Sequence, residues 1–367
     1  MKRSNKLLSV RRARGFALLA LMTLLVLALS AALIARLSLN QRATDRIKDN
    51  ADILGLAADS LLGYALQQIP PGTLPCPDTD GDGLEDATAG GCQSQRGLLP
   101  VRTLNTGSIN DRSGAALWYA VELNLVSNAG GVRNPSRATT LLLDNVPVAA
   151  VLVAPGAPLA QQGRAPLLAT DFLEGVNADA TLNTYARPVD DTGNDQLLAL
   201  GLGGFWTHMA RRVLAVTGQL LVDYRAVCAE YPWAASFAGP FDSVPALQIG
   251  SLPLNSALPN DWGTVCATGT APTPPAWLSF HWSDQIYYRM CTVAEGNCLS
   301  TVGNVNPAGS AVLLSPGVTL AAQLRPSGAP ANYFELENIA APNTQFRDLD
   351  LIDHTGAYND VTAVLAP

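Results

Sequence analysis

Residues 151–177, VLVAPGAPLAQQGRAPLLATDFLEGVN, align without a gap to residues 312–338, VLLSPGVTLAAQLRPSGAPANYFELEN, at an offset of 161. Ten of these 27 positions are identical: Val151, Leu152, Pro155, Gly156, Leu159, Ala160, Gln162, Arg164, Glu174 and Asn177. The match continues in order downstream, with Asn183-Thr184 and Arg187 against Asn343-Thr344 and Arg347, then Thr192-Gly193-Asn194-Asp195 against Thr355-Gly356 and Asn359-Asp360. Upstream, Gly97-Leu98-Leu99-Pro100 answers Gly250-Ser251-Leu252-Pro253, and Leu117-Trp118-Tyr119 answers Ile286-Tyr287-Tyr288. Self-similarity of this kind means one supersecondary unit used twice. Each copy reads as a helix, a Pro-rich turn, an irregular loop and then short strands. The strands are expected over 116–125, 148–153 and 197–200, and again over 285–291, 311–314 and 361–365. Consecutive strands behind one helix predict an antiparallel meander packed on that helix, an α+β arrangement. The helix of the second copy is expected over 205–229 and, with Arg211-Arg212, is too polar to span a membrane.

The whole chain has 367 residues, 48% hydrophobic and 14% charged, with 31 Gly, 25 Pro and a formal charge of -7. That balance excludes a disordered chain and a basic nucleic-acid-binding surface. The charge is unevenly placed. Lys2, Arg3, Lys6, Arg11, Arg12 and Arg14 precede any acidic residue, and without them the formal charge is -13. Residues 16–35, FALLALMTLLVLALSAALIA, carry no charge. As a helix they would extend about 30 Å, the thickness of a bilayer core. With all the basic residues on the N-terminal side, such a span leaves the N-terminus cytoplasmic and the rest outside. A cleaved secretory signal would instead be cut near 28–32. Beyond the apolar run, Leu37, Ile47, Ile53, Leu54, Ala57, Leu61, Leu62 and Tyr64 continue a helical spacing until Pro70-Pro71 ends it.

The junction Arg14-Gly15-Phe16-Ala17-Leu18-Leu19 resembles the processing site of type IV prepilins and type II secretion pseudopilins. The resemblance implies a leader, 1–15, removed by prepilin peptidase between Gly15 and Phe16, with Phe16 then N-methylated. It also implies a transmembrane and amphipathic pilin helix over 16–70, and two tandem pilin-like head units, 71–204 and 205–367, outside the inner membrane in the periplasm. Where most pilins carry Glu at the fifth mature position, this chain has Ala20. A tip subunit has no neighbour above it whose amine such a carboxylate would compensate, so the departure suits a tip or initiating position. The functional expectation is a minor pilin or pseudopilin-like structural subunit, meeting other such subunits and a secreted substrate or surface. The alternative is a membrane-anchored or secreted periplasmic enzyme or adhesin stabilised by calcium.

Asp78-Thr79-Asp80-Gly81-Asp82-Gly83-Leu84-Glu85-Asp86 places carboxylates at loop positions 1, 3, 5 and 9 with glycine at position 6. Alternating Asp side chains converge on one hard cation, and the Leu84 carbonyl is a natural further ligand, so the expected ion is Ca2+. Position 12 is Ala89 rather than a bidentate Glu, which makes the loop resemble the DxDxDG loops of dockerin and thrombospondin-type repeats. Asp78, Asp80, Asp82, Leu84 and Asp86 are the candidate ligands, with Glu85 a further source of oxygen. The second copy has no such run.

Six cysteines in an exported chain suggest three bridges, although spacing does not choose among the connectivities. Cys76 and Cys92 flank the acidic loop, Cys291 and Cys298 are close enough for a short one, and Cys228 and Cys266 remain. No zinc spacing is present. His208, His281 and His354 stand apart, and there is neither a nucleophile elbow nor a phosphate-binding loop. Asp190, Asp191, Asp195, Asp348, Asp350, Asp353 and Asp360 read as turn residues, and the Trp-rich second copy as core packing. A non-enzymatic role is expected.

Overall fold

In a computed structural model the described residues are 48–127, 130–164, 167–179, 181, 183–189, 193–237, 239–254, 262–301, 309–339, 344–348 and 358–365, together with 22, 25, 26, 29 and 30. Met1–Asp52 and Ile53–Pro367 are two compact units, and the architecture is that of the second. Helix α1 occupies residues 48–67. Its part beyond Asp52 buries Leu54, Ala57, Leu61 and Ala65, a three-to-four spacing that makes one apolar face. The chain then turns back, with the Gly72 N–H bonded to the Ala65 carbonyl at 3.0 Å.

Strands β1 (Arg96–Leu98), β2 (Trp118–Val121), β3 (Val146–Ala154) and β4 (Gln196–Gly201) pair antiparallel in that order. Helix α2 (Leu202–Cys228) follows without a gap, so the expected head boundary at 204/205 falls inside a helix. It ends where Ala229, in left-handed conformation, donates its N–H to the Arg225 carbonyl. Strands β5 (Ile249–Ser251), β6 (Tyr287–Met290), β7 (Ala311–Ser315) and β8 (Val361–Leu365) repeat the same antiparallel order. Before β6 lies a short helix, α3 (Ala276–Trp282).

The repetition reaches detail. Tyr119 and Tyr288, partners across the alignment, donate their hydroxyls to the carbonyls of Pro75 and Pro232 at 3.1 and 3.0 Å. Both copies add a two-residue parallel pair, 142–143 with 184–185 and 300–301 with 345–346.

Strand alternation sends side chains to two sides of each sheet. Tyr119, Val121 and Leu152 from the first sheet meet Tyr288, Met290 and Leu313 from the second, with the buried faces of α1 and α2, in one shared core. The opposite faces each build a smaller core: Trp118, Val151, Val153, Leu173 and Tyr185 in the first copy, and Tyr287, Val312, Leu314, Tyr333, Phe334 and Phe346 in the second. Each fully buried side chain of this size contributes about 1.5–3 kcal/mol. A shared central core explains why both copies lie within one compact unit.

The structure corrects the expected long N-terminal transmembrane helix. Among the described residues no helix is long and apolar enough to cross a membrane. Of the three helices, α1 carries Lys48, Asp49, Asp52 and Asp59, and α2 carries Arg211, Arg212, Asp223 and Arg225; the rest of the described chain is sheet-rich. The single-pass inner-membrane placement, with a periplasmic head, has no support for the same reason. The leader 1–15, the Gly15–Phe16 junction and most of 16–47 lie outside the described residues.

Candidate metal centre

The acidic loop hangs from the edge of the first sheet. Asp78 pairs with β1 through its backbone, its N–H reaching the Leu98 carbonyl at 3.0 Å and its carbonyl accepting the Leu98 N–H at 2.6 Å. Gly97 permits that approach, since a Cβ there would stand 2.3 Å from the Asp78 carbonyl oxygen. Gly81 and Gly83, at φ of 84° and 86°, then turn the chain through the left-handed region.

The turn is tied to its own carboxylates. Asp78, 1% exposed, accepts the Gly81 and Gly83 N–H groups at 2.7 Å each, one on either oxygen. Asp86 accepts the Thr79 N–H at 2.6 Å and the Thr79 hydroxyl at 2.5 Å. Carboxylate oxygens of Asp78, Asp80 and Asp86 all lie within 4.8 Å of one another. Oxygens at such separations are close enough to share one hard cation.

Other residues of the loop have different duties. Asp82 is not in that group, and its Oδ1 accepts the Leu84 N–H at 2.7 Å. Glu85 faces the other way, accepting the Cys76 N–H at 2.9 Å and bonding to Tyr64. Burial pushes the Tyr64 hydroxyl up to about 12, and the charge of Glu85 adds to it. Arg102 braces the outside, donating from its backbone to the Gly83 carbonyl at 2.8 Å and from its guanidinium to the Asp82 carbonyl at 3.0 Å. Burial raises the Asp78 carboxyl above its ordinary range, with the Asp80 charge adding and the glycine N–H bonds opposing. The Thr79 donors hold Asp86 below its ordinary range.

Three disulfides join Cys76 to Cys92, Cys228 to Cys266 and Cys291 to Cys298. The first closes the chain on either side of the acidic loop. The second ties the end of α2 to a hairpin, 265–266 with 269–270.

A second polar cluster was not foreseen from the sequence. In the first copy Gln162 donates to Glu174 at 2.6 Å, and Asp195 accepts from the Glu174 N–H at 3.1 Å and from Asn177 at 3.0 Å. In the second, Gln323 donates to Glu335 at 2.5 Å, and Asp360 accepts from the Glu335 N–H and from Asn338 at 2.9 Å each. Arg164 lies over Phe172 as Arg325 lies over Tyr333, and each donates to the carbonyl of a glycine, Gly156 or Gly317. Asp195 and Asp360 are thus not solvated turn residues. The identities across residues 151–177 and 312–338 mark this cluster, but nothing in them shows that it is buried.

Burial, with the Glu174 charge adding, pushes Asp195 up to about 7, and burial beside Glu335 raises Asp360 well above its ordinary range. Each Asp hydrogen-bonds to its Glu through the carboxyls, which requires a proton on one of them. Asp195 Oδ1 and Asp360 Oδ1 are buried and accept from no donor among the described residues. The pairs act as structural fasteners: the other hydrogen bonds they accept come from backbone N–H groups and amide side chains of the same copy.

His281 and the core tryptophans are likewise spent on packing. His281 accepts the Arg133 N–H on Nδ1 at 3.0 Å, and burial together with Arg133 pulls it down to about 4. His208 is exposed on α2, and His354, like Asp190, Asp191, Asp350 and Asp353, lies outside the described residues. Trp206 and Trp282 meet edge to face in the shared core at 6.0 Å. No protein-family profile, curated protein or solved structure matches the chain.

Proposed function

We propose that this protein is a structural, partner-binding subunit rather than an enzyme, and that its acidic loop holds one calcium ion. The observation that carries this reading is the repetition of the buried polar cluster. The groups best suited to acid–base chemistry, Glu174 with Asp195 and Glu335 with Asp360, fasten the same turns in both copies. What differs between the copies is a surface loop with converging carboxylates. A cation there would draw Asp78, Asp80 and Asp86 together and stiffen the edge of the first sheet. Three disulfides suit an oxidising compartment, where free calcium is also available.

Within that class, the Arg14-Gly15-Phe16 junction favours a minor pilin or pseudopilin-like subunit of a type IV pilus or type II secretion system, and Ala20 favours a tip or initiating position. Its partners would be prepilin peptidase, other subunits of that kind, and a secreted substrate or surface. N-terminal mass spectrometry of the chain from its native host tests this assignment. The expected mature chain starts at N-methylated Phe16, and Gly15→Ala abolishes the cut. An intact N-terminus or a cut beyond residue 28 removes the pilin assignment.

A further inference from the structure

Each of the two antiparallel sheets ends in two outer strands, and among the described residues three of these four edges carry a cap. Asp78 pairs with β1 through its backbone, and Ala235 with β5. Asp348 Oδ1 accepts the outward Thr362 N–H of β8 at 2.8 Å. The fourth edge is that of β4, which pairs with β3 on one side and with no strand among the described residues on the other.

Strand alternation tells which backbone groups of β4 are left over. Val151 and Val153 stand opposite Ala120 and Trp118, and the Glu122 N–H reaches the Ala149 carbonyl, so Ala149, Val151 and Val153 turn their backbone groups to β2. Ala150, Leu152 and Ala154 therefore turn theirs to β4, where they meet Leu200, Leu198 and Gln196. The N–H and C=O groups of Leu197 and Ala199 point away from the sheet, and no hydrogen bond reaches them there among the described residues. No counterpart of Asp348 caps them. Ala186 and Arg347 hold the same place in the two copies, each exchanging two hydrogen bonds with Asn177 or Asn338. The next residue is Asp348 in the second copy and Arg187 in the first, where its N–H and its guanidinium both go to Asp144. Natural sheets blunt an open edge with charge or proline. Residues 196–204, QLLALGLGG, carry neither, and Leu198 and Ala199 remain partly exposed.

We propose that the β4 edge receives an extended segment of a partner polypeptide, which adds a strand to the first sheet. Outward donors and acceptors two residues apart match another extended main chain and no compact ligand. The side chains beside the edge are apolar on both faces, Leu197 and Ala199 on one and Leu198 on the other, so the paired stretch of the partner is uncharged. A second folded copy of this chain is a poor occupant, because an edge of this length buries far less than the roughly 1,200 Å² of a stable interface. The inference rests on the partner-binding reading and deepens it by naming the conformation of the partner. A short peptide probes the edge alone, and its failure leaves the N-terminal processing test untouched, so the two failures are distinguishable.

The test is amide hydrogen exchange read by 1H–15N correlation on the full chain. In the free chain Leu197 and Ala199 are expected to exchange faster than Leu198 and Leu200, whose N–H groups bond to β3. The probe is an acetylated and amidated peptide with the sequence of Ala150–Ala154, AVLVA, a strand that pairs with β4 in the sheet, flanked by one lysine at each end for solubility. At ten times its dissociation constant, exchange at Leu197 and Ala199 should slow about tenfold, since only the unbound tenth of the chain exchanges. The same peptide N-methylated throughout should have no effect. Ala199→Pro, which removes an outward N–H that the sheet does not use, should abolish the slowing at Leu197. No slowing at millimolar peptide, or equal slowing by the N-methylated peptide, overturns the proposal on the wild-type chain alone. Protection of Leu197 and Ala199 that is already complete in the free chain, or that grows with protein concentration and gives the edge to a second copy, overturns it too, as does an undiminished response in folded Ala199→Pro.

Discussion

Asp78 and Ala235 do the same backbone work and differ in everything beyond it. Each pairs with an edge strand, Asp78 with Leu98 and Ala235 with Ser251, and each lies over a glycine whose side chain would collide with it. From Asp78 the chain enters a loop of carboxylates. From Ala235 it runs into an apolar segment whose Phe237 fills the adjoining core. The backbone path is fixed by strand pairing and close approach, so the side chains that follow were free to diverge into an ion site in one copy and core packing in the other.

The comparison breaks most severely at the two glycines. Gly97→Ala would put a Cβ 2.3 Å from the Asp78 oxygen, and Gly250→Ala one 2.0 Å from the Ala235 oxygen. Neither backbone can yield without losing its pairing, so each change should cost about 4 kcal/mol or more in denaturant unfolding. Only Gly97→Ala should also abolish calcium binding. Equal loss of calcium binding in both would show that the loop depends on the whole unit rather than on its own edge.

The bridges come next. Chain-closure entropy gives about 4 kcal/mol for Cys228–Cys266 and about 3 kcal/mol for Cys76–Cys92, whose sequence separations are 38 and 16. Paired Cys→Ala variants should lose stability in that order. Calcium affinity should fall only when the bridge at residues 76 and 92 is removed.

Protonation gives a smaller effect, shared by both copies. Asp195 and Asp360 hold their protons to higher pH in the folded chain than in the unfolded one. Between the ordinary carboxylate range and about 7, the folded state therefore binds more protons, and stability falls as pH rises. The contribution is fully present near pH 4 and is lost through about 7 for Asp195, and higher for Asp360. A Tm lower by roughly 2–4 °C at pH 8 than at pH 5.5 is expected, with the slope reduced in Asp195→Asn and in Asp360→Asn. A Tm that rises over this range would contradict the shared-proton pairs.

Much of this architecture was legible in the sequence. The alignment of residues 151–177 with 312–338 gives the repeated sheet, because identical Gly, Pro and polar residues mark turns that must be built the same way twice. Strand positions followed from apolar runs: Val361–Leu365 is a strand over its full expected length, and Trp118–Val121 is the paired part of a longer expected one. The buried Glu–Asp pairs were not legible. Their segments are short 3₁₀ turns and loops, Gly175–Ala178 and Leu336–Asn338 among them, where no periodicity tells a buried carboxyl from a solvated one. Within the metal loop, spacing alone grouped Asp82 with the other carboxylates, and it does not tell which of them converge: Asp82 Oδ1 accepts the Leu84 N–H as Asp80 Oδ1 accepts the Asp82 N–H. The apolar run 16–35 invited a membrane helix, and no described helix has that character.

The central claim is that one copy binds a cation and the other does not. Calorimetric titration of Ca2+ into the chelator-stripped full chain tests it most directly. One site per chain is predicted, lost in Asp80→Ala, which removes a ligand oxygen without touching the backbone pairing of Asp78. Absence of heat, two equivalents per chain, or undiminished binding in Asp80→Ala would contradict it.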